Sequence, residues 1–142
     1  MKQQAWVVFA LRSALFAGLT AILGKIGVTG VSSNFATFVR TCVVLAFAAA
    51  IAGLRDEWTA ASAATARSWT FLILSGLATG TSWLCYYRAL QLAPASLVAP
   101  IDKLSIVVAI ALGVLVLGEP VGWKLVVGGG LIVAGALLIG ST

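Results

Sequence analysis

Residues 97–117 read Leu-Val-Ala-Pro-Ile-Asp-Lys-Leu-Ser-Ile-Val-Val-Ala-Ile-Ala-Leu-Gly-Val-Leu-Val-Leu. A helix needs about 20 predominantly apolar residues to cross the hydrocarbon of a bilayer. This run meets that length and is broken near its start by a proline and two adjacent charges, Asp102 and Lys103. Four runs of similar character accompany it, at residues 5–28, 35–54, 69–92 and 121–139. The breaks between runs carry turn chemistry: Gly30, Ser32, Ser33 and Asn34, then 55–67 with Asp56 and Glu57, then Pro94, then Gly118-Glu119-Pro120. The expectation is an all-α membrane protein of five transmembrane helices, a single domain over residues 1–142. Its short turns impose antiparallel neighbours.

The composition excludes most other classes. Of 142 residues, 61% are hydrophobic and 9% charged, against about 45–50% and about 25% in soluble domains. A globule of this size has too much surface for its volume to hide that apolar content. A soluble enzyme, a nucleic-acid-binding domain and a disordered chain are all excluded. The net charge of +5 does not form a basic patch. Lys2, Arg12, Lys25, Arg40, Arg55, Arg67, Arg88, Lys103 and Lys124 fall singly, as in proteins whose spans are punctuated by charge. There is no histidine, and Cys42 and Cys85 lie in apolar runs without metal-ligand spacing. No catalytic residue, metal or cofactor is expected. Trp6, Trp69 and Trp123 each open a span, where amphipathic rings favour the headgroup layer. The first span holds Arg12 and lacks a convincing cleavage site, so it reads as retained.

An odd number of spans puts the termini on opposite sides. One side then carries Lys2, Arg12, Arg55, Arg67 and Lys124, the other Lys25, Arg40, Arg88 and Lys103. Counting clear loop positions alone favours a cytoplasmic N-terminus. The near balance also fits insertion in both directions, giving antiparallel dimers.

Charged groups inside a span cost on the order of 2.5–3.5 kcal/mol each at mid-bilayer and tend to be functional. Arg12 and Arg88 are expected to snorkel toward water. Lys25 ends a helical face built from Ala14, Gly18 and Ala21, along which another helix can approach closely. Pro100 deprives the Ser96 carbonyl of its donor and predicts a kink. Asp102 and Lys103, about 100° apart on a helix, are expected to face different partners. Asp102 either binds a cation or proton, or forms a structural ion pair with Lys25, Arg40 or Arg88. In the third span Gly76, Gly80, Trp83 and Tyr87 share one face, and Ser75, Thr79, Ser82 and Tyr86 the next. Gly76 and Gly80 form a small-xxx-small packing pattern. The hydroxyls either line a polar passage or bond back to their own helix. Trp83 lies too deep for an interface anchor and is either core or a wall that stacks on solute. Glu119 is expected to pair with Lys124 at the surface. Gly128, Gly129, Gly130, Ala134 and Gly135 make the last helix slim enough to contact other helices, including across a subunit interface.

The run Tyr86-Tyr87-Arg88-Ala89-Leu90, then Ala93-Pro94-Ala95-Ser96-Leu97-Val98-Ala99-Pro100, then Gly118-Glu119, resembles the signature of the EamA-type repeat of the drug/metabolite transporter superfamily. Lys25 at the end of the first span and Arg40 near the start of the second support the resemblance. It implies a multi-pass protein of the cell membrane, in which two inverted repeats enclose a cavity facing alternately each way. A chain with one repeat would then work with a second copy (an antiparallel homodimer) or with a paralogous half-transporter. The implied cargo is a small metabolite or drug, and the implied partners are the bilayer and that solute, with no nucleic acid. Small multidrug-resistance proteins are also antiparallel dimers but rely on a carboxylate in the first span, which this chain lacks. Lys25, Arg40, Trp83, Tyr87, Asp102 and Lys103 are the candidates for solute binding or gating. Two other functions fit the same sequence: a non-transporting subunit of a larger membrane complex, and half of a heterodimeric flippase for lipid-linked substrates.

Overall fold

A computed structural model describes residues 5–141; Lys2, part of the charge tally above, lies outside the described residues. Every regular element among the described residues is helical. The helices are α1 (Ala5–Gly27), α2 (Ser33–Leu54), a 3₁₀ turn (Glu57–Thr59), α3 (Ala60–Ala63), α4 (Ala66–Leu92), α5 (Ala95–Asp102), α6 (Ser105–Leu117) and α7 (Trp123–Gly140). Local chemistry explains several of the ends. Ser32 caps α2, its hydroxyl accepting from the Phe35 N–H at 3.3 Å. Pro94 precedes α5 with its fixed φ of −59°. Gly118 closes α6 in the left-handed region at φ 68°, its N–H bonded to the Val114 carbonyl at 3.2 Å, while the Glu119 N–H takes the Gly113 carbonyl at 3.1 Å.

Four segments are long and apolar enough to cross a membrane: α1, α2, the pair α5–α6 (Ala95–Leu117), and α7. The expected fifth, α4, has the length, since its 27 residues extend about 40 Å at about 1.5 Å each. Its polarity separates it from the others, because Arg67, Ser68, Thr70, Ser75, Thr79, Thr81, Ser82, Arg88 and Gln91 dilute its apolar content. No more than 11% of the most apolar window of any of the four segments is buried. Leu90 alone is fully buried among the described large side chains. In water so much exposed leucine, valine and phenylalanine would be ruinous; against lipid tails it costs nothing.

The chain divides into two compact units. In the unit Gly24–Gln91, the start of α2 lies beside the end of α4. Gly24 permits a close approach: a Cβ there would come within 3.0 Å of Tyr87 Cε1 and 3.4 Å of Leu90 Cδ1. The Gln91 side chain donates to the Val31 carbonyl at 2.7 Å, pinning the α1–α2 loop to the last turn of α4. Beyond α2 the loop turns at Asp56, which is left-handed at φ 53°, and carries the exposed pair Arg55–Glu57 at 3.8 Å.

In the other unit, α7 packs against α5 and α6. Gly129 lies against Ile110 and Gly140 against Ile101, whereas Gly128, Gly130 and Gly135 face open space. The slim helix is thus partly used within the chain.

Three expectations need correction. Gly76 and Gly80 meet nothing within 4 Å, so the small-xxx-small pattern makes no close contact among the described residues. Glu119 does not pair with Lys124 among the described residues: its carboxylate folds back on Gly113, where an added Cβ would come within 2.8 Å of Oε2. Lys124 instead lies 5.9 Å from the centre of the Trp123 ring. Asp102 and Lys103 pair with each other at 3.4 Å. The 100° separation holds only in a continuous helix, and the helix stops here. Lys103 and Leu104 N–H groups reach back three residues, to the Pro100 and Ile101 carbonyls at 3.1 and 2.9 Å, and α6 starts anew at Ser105.

Candidate functional site

The candidate site in the Gly24–Gln91 unit begins with α2. Arg40 follows Ser33 by seven residues, placing it about 10 Å along the helix axis. Opposite it, Trp83 and Tyr87 stand four residues apart and so share one face of α4. The Arg40 guanidinium carbon sits 4.0 Å from the centre of the Trp83 ring and 5.6 Å from that of Tyr87. One of its N–H groups, at Nη1, donates to Tyr87 Oη at 3.5 Å. This is cation–π geometry, in which the negative face of the ring offsets part of the charge's desolvation.

The nearer ring is the deeper one. Trp83 lies one turn, about 6 Å, further from the end of α4 than Tyr87 does. Arg40 therefore lies nearer to the ring one turn further from the end of α4. Trp83 is half-buried and carries the cation.

Tyr87, 6% exposed, is fixed from both sides. Arg40 holds its hydroxyl, and the bare backbone of Gly24 allows α1 to lie against its ring. Lys25, next along α1, donates its ammonium to the Leu90 carbonyl. That carbonyl is in the last turn of α4, where the helix leaves acceptors unused and its dipole favours a cation. Lys25 thus fastens the last turn of α1 to the last turn of α4.

The hydroxyl stripe of α4 divides less ambiguously. Thr79 donates to the Ser75 carbonyl at 2.9 Å, the bond back to its own helix that was one of its two readings. Arg88 is exposed and bonds Gln91 Oε1 at 3.1 Å.

Charge is unevenly distributed in this unit. Lys25, Arg40 and Arg88 gather where α1 ends, α2 begins and α4 ends. The carboxylates of the unit, Asp56 and Glu57, lie past the far end of α2, a helix of 22 residues and so about 33 Å long. The second candidate location, the Asp102–Lys103 break between α5 and α6, belongs to the other unit. Asp102 takes its charge partner from its own chain neighbour.

The structure therefore brings Arg40, Trp83 and Tyr87 together, sets Lys25 at the adjoining helix end, and places Asp102 and Lys103 in an ion pair of their own. The sequence reading missed Gly24 and Gln91. A glycine beside the lysine of α1 and a lone amide in the last turn of α4 were the available signals.

These features define a multi-pass integral membrane protein with charged groups held inside its helices. The chain matches the EamA-like transporter family over residues 4–141. It is 51% identical over 136 residues to a protein of Sinorhizobium sp. named as an uncharacterized transporter in the cobO 3′ region, with 96% of each chain aligned. No solved structure matches it. The chain belongs to the EamA-like transporter family, and membership points to a membrane transporter and away from an enzyme.

Proposed function

We propose that the chain carries small metabolites or drugs outward across the cell membrane, working as two oppositely inserted copies that expose a shared site to each side in turn. The observation that carries this reading is the Arg40 guanidinium over the Trp83 ring, about 10 Å along α2, a helix long and apolar enough to span. A charge is retained at such a depth where it serves a solute path. In this reading α4 is the fifth span, its polar residues shielded by the second copy. Family transporters of this kind place their site near the midplane between inverted halves and rock one half against the other. Arg40, Trp83 and Tyr87 bind solute, Lys25 holds the end of the site closed, and Asp102 with Lys103 forms a gate at a discontinuous helix. In this reading that gate couples solute movement to the proton gradient.

The test is uptake into proteoliposomes under an imposed proton gradient. Asp102→Asn is expected to insert normally and to lose gradient-driven flux at least about tenfold, since intramembrane carboxylates are the usual proton relays. A fully active Asp102→Asn protein would remove the coupling role.

A further inference from the structure

We propose that the solute is an organic anion, its carboxylate or phosphate held by the edge of the Arg40 guanidinium and its apolar body lying along the Trp83 ring. The inference rests on the transport reading above for the word solute, but the site itself stands on geometry.

The Arg40 guanidinium carbon lies over the Trp83 ring at 4.0 Å from its centre, a contact that engages the cation without consuming its N–H donors. Arg has five such donors, and among the described residues Arg40 uses one, to a phenol oxygen at 3.5 Å, the outer limit of a hydrogen bond. The remaining edge has the fork geometry that binds a carboxylate or phosphate through two parallel bonds.

The surroundings favour the same charge. Within the unit Asp56 and Glu57 lie past the far end of α2, while Lys25 and Arg88 are bonded in the last turn of α4, on the same half of the unit as Arg40. A cationic solute would meet repulsion here, although the two rings alone would welcome it. The potential thus decides the sign that the aromatic rings leave open. Trp83, half-buried beside the cation, offers a flat apolar surface to whatever is attached to the anionic group.

The anionic group has two sources, a free solute or the phosphate of a lipid headgroup. The experiment measures binding to the purified full chain in phosphatidylcholine nanodiscs, with phenyl phosphate, benzoate, inorganic phosphate and benzyltrimethylammonium as probes. The two aromatic anions are expected to bind and benzyltrimethylammonium is not. Arg40→Gln is expected to weaken anion binding about tenfold or more, the usual effect of losing a charge-assisted pair. Arg40→Lys is expected to weaken it less and to keep the preference for anions.

Trp83→Leu, which retains bulk and does not depend on the fate of the arginine variants, is expected to lower affinity for phenyl phosphate relative to inorganic phosphate. A merely structural tryptophan would leave that ratio unchanged. Phosphatidylglycerol added to the discs distinguishes the sources: soluble anions that bind in phosphatidylcholine and are displaced by the anionic lipid assign the same anion site to a headgroup, whereas soluble anions that bind undisturbed assign it to a free solute. Binding of benzyltrimethylammonium as tight as that of the anions, or wild-type anion affinity in Arg40→Gln, would overturn the proposal. Flux of the same probes keeps the two readings apart. Anions bound but never carried would sink transport and leave the site, whereas cation flux without anion binding would do the reverse.

Discussion

Arg40 sits where hydrophobicity alone would forbid it, at an expense on the order of 2.5–3.5 kcal/mol if left bare at mid-bilayer. Stacking on Trp83 returns about 0.5–2 kcal/mol, so the cation remains a net liability to stability. Replacing a buried charge by an apolar side chain of similar length is often neutral or stabilising. Arg40→Met is therefore expected to leave the thermal unfolding midpoint in detergent unchanged or raised while abolishing anion binding. A drop equivalent to more than about 1 kcal/mol, the scale of a typical lost hydrogen bond, would mark Arg40 as a brace. The sequence picked out Arg40, Trp83 and Tyr87 separately, because charge inside a span and an aromatic beyond interface depth are visible in one helix at a time. That the arginine of α2 lies on the tryptophan of α4 was not legible, since helical periodicity says nothing about which turn of one helix meets which turn of another.

At the scale of elements, Gly24 and Gly118 illustrate the two physical requirements a glycine can meet, a close approach and a positive φ. Gly24→Ala is expected to destabilise the protein by about 1–3 kcal/mol in chemical unfolding, because the added methyl meets the buried Tyr87 ring and overpacking is penalised on that scale. Gly118→Ala is expected to cost about 1 kcal/mol through its left-handed φ of 68°. Gly76→Ala serves as the contrast. Nothing lies within 4 Å of the new methyl, and alanine outranks glycine in a helix by about 1 kcal/mol, so the single chain should gain stability or hold it. Single-helix patterns made Gly76 and Gly80 look like the packing seam. They carried no information about the neighbour, and the close approach was at Gly24, which no repeat marked. The broken fourth span was partly legible. Pro100 announced a disruption, but the pairing of Asp102 with Lys103 followed only once the helix ended between them, in bonds reaching three residues back.

For the molecule as a whole, membrane residence was the most legible property, since 61% hydrophobic residues in 142 leave no other solvent. The count of spans was less so: four segments meet the apolar criterion and α4 is long but polar. Polar residues on a spanning helix need shelter from lipid, and in the proposed dimer a second copy supplies it. The basic residues, divided five against four between the two sides on a five-span reading, give little preference for either orientation. The most direct measurement is topology mapping with reporters on both termini of this chain expressed alone, in cells where it supports transport. Two populations are expected, each with its termini on opposite faces of the membrane and of comparable abundance. A single fixed orientation in an active preparation, with no oppositely inserted partner copurifying, would rule out the antiparallel carrier.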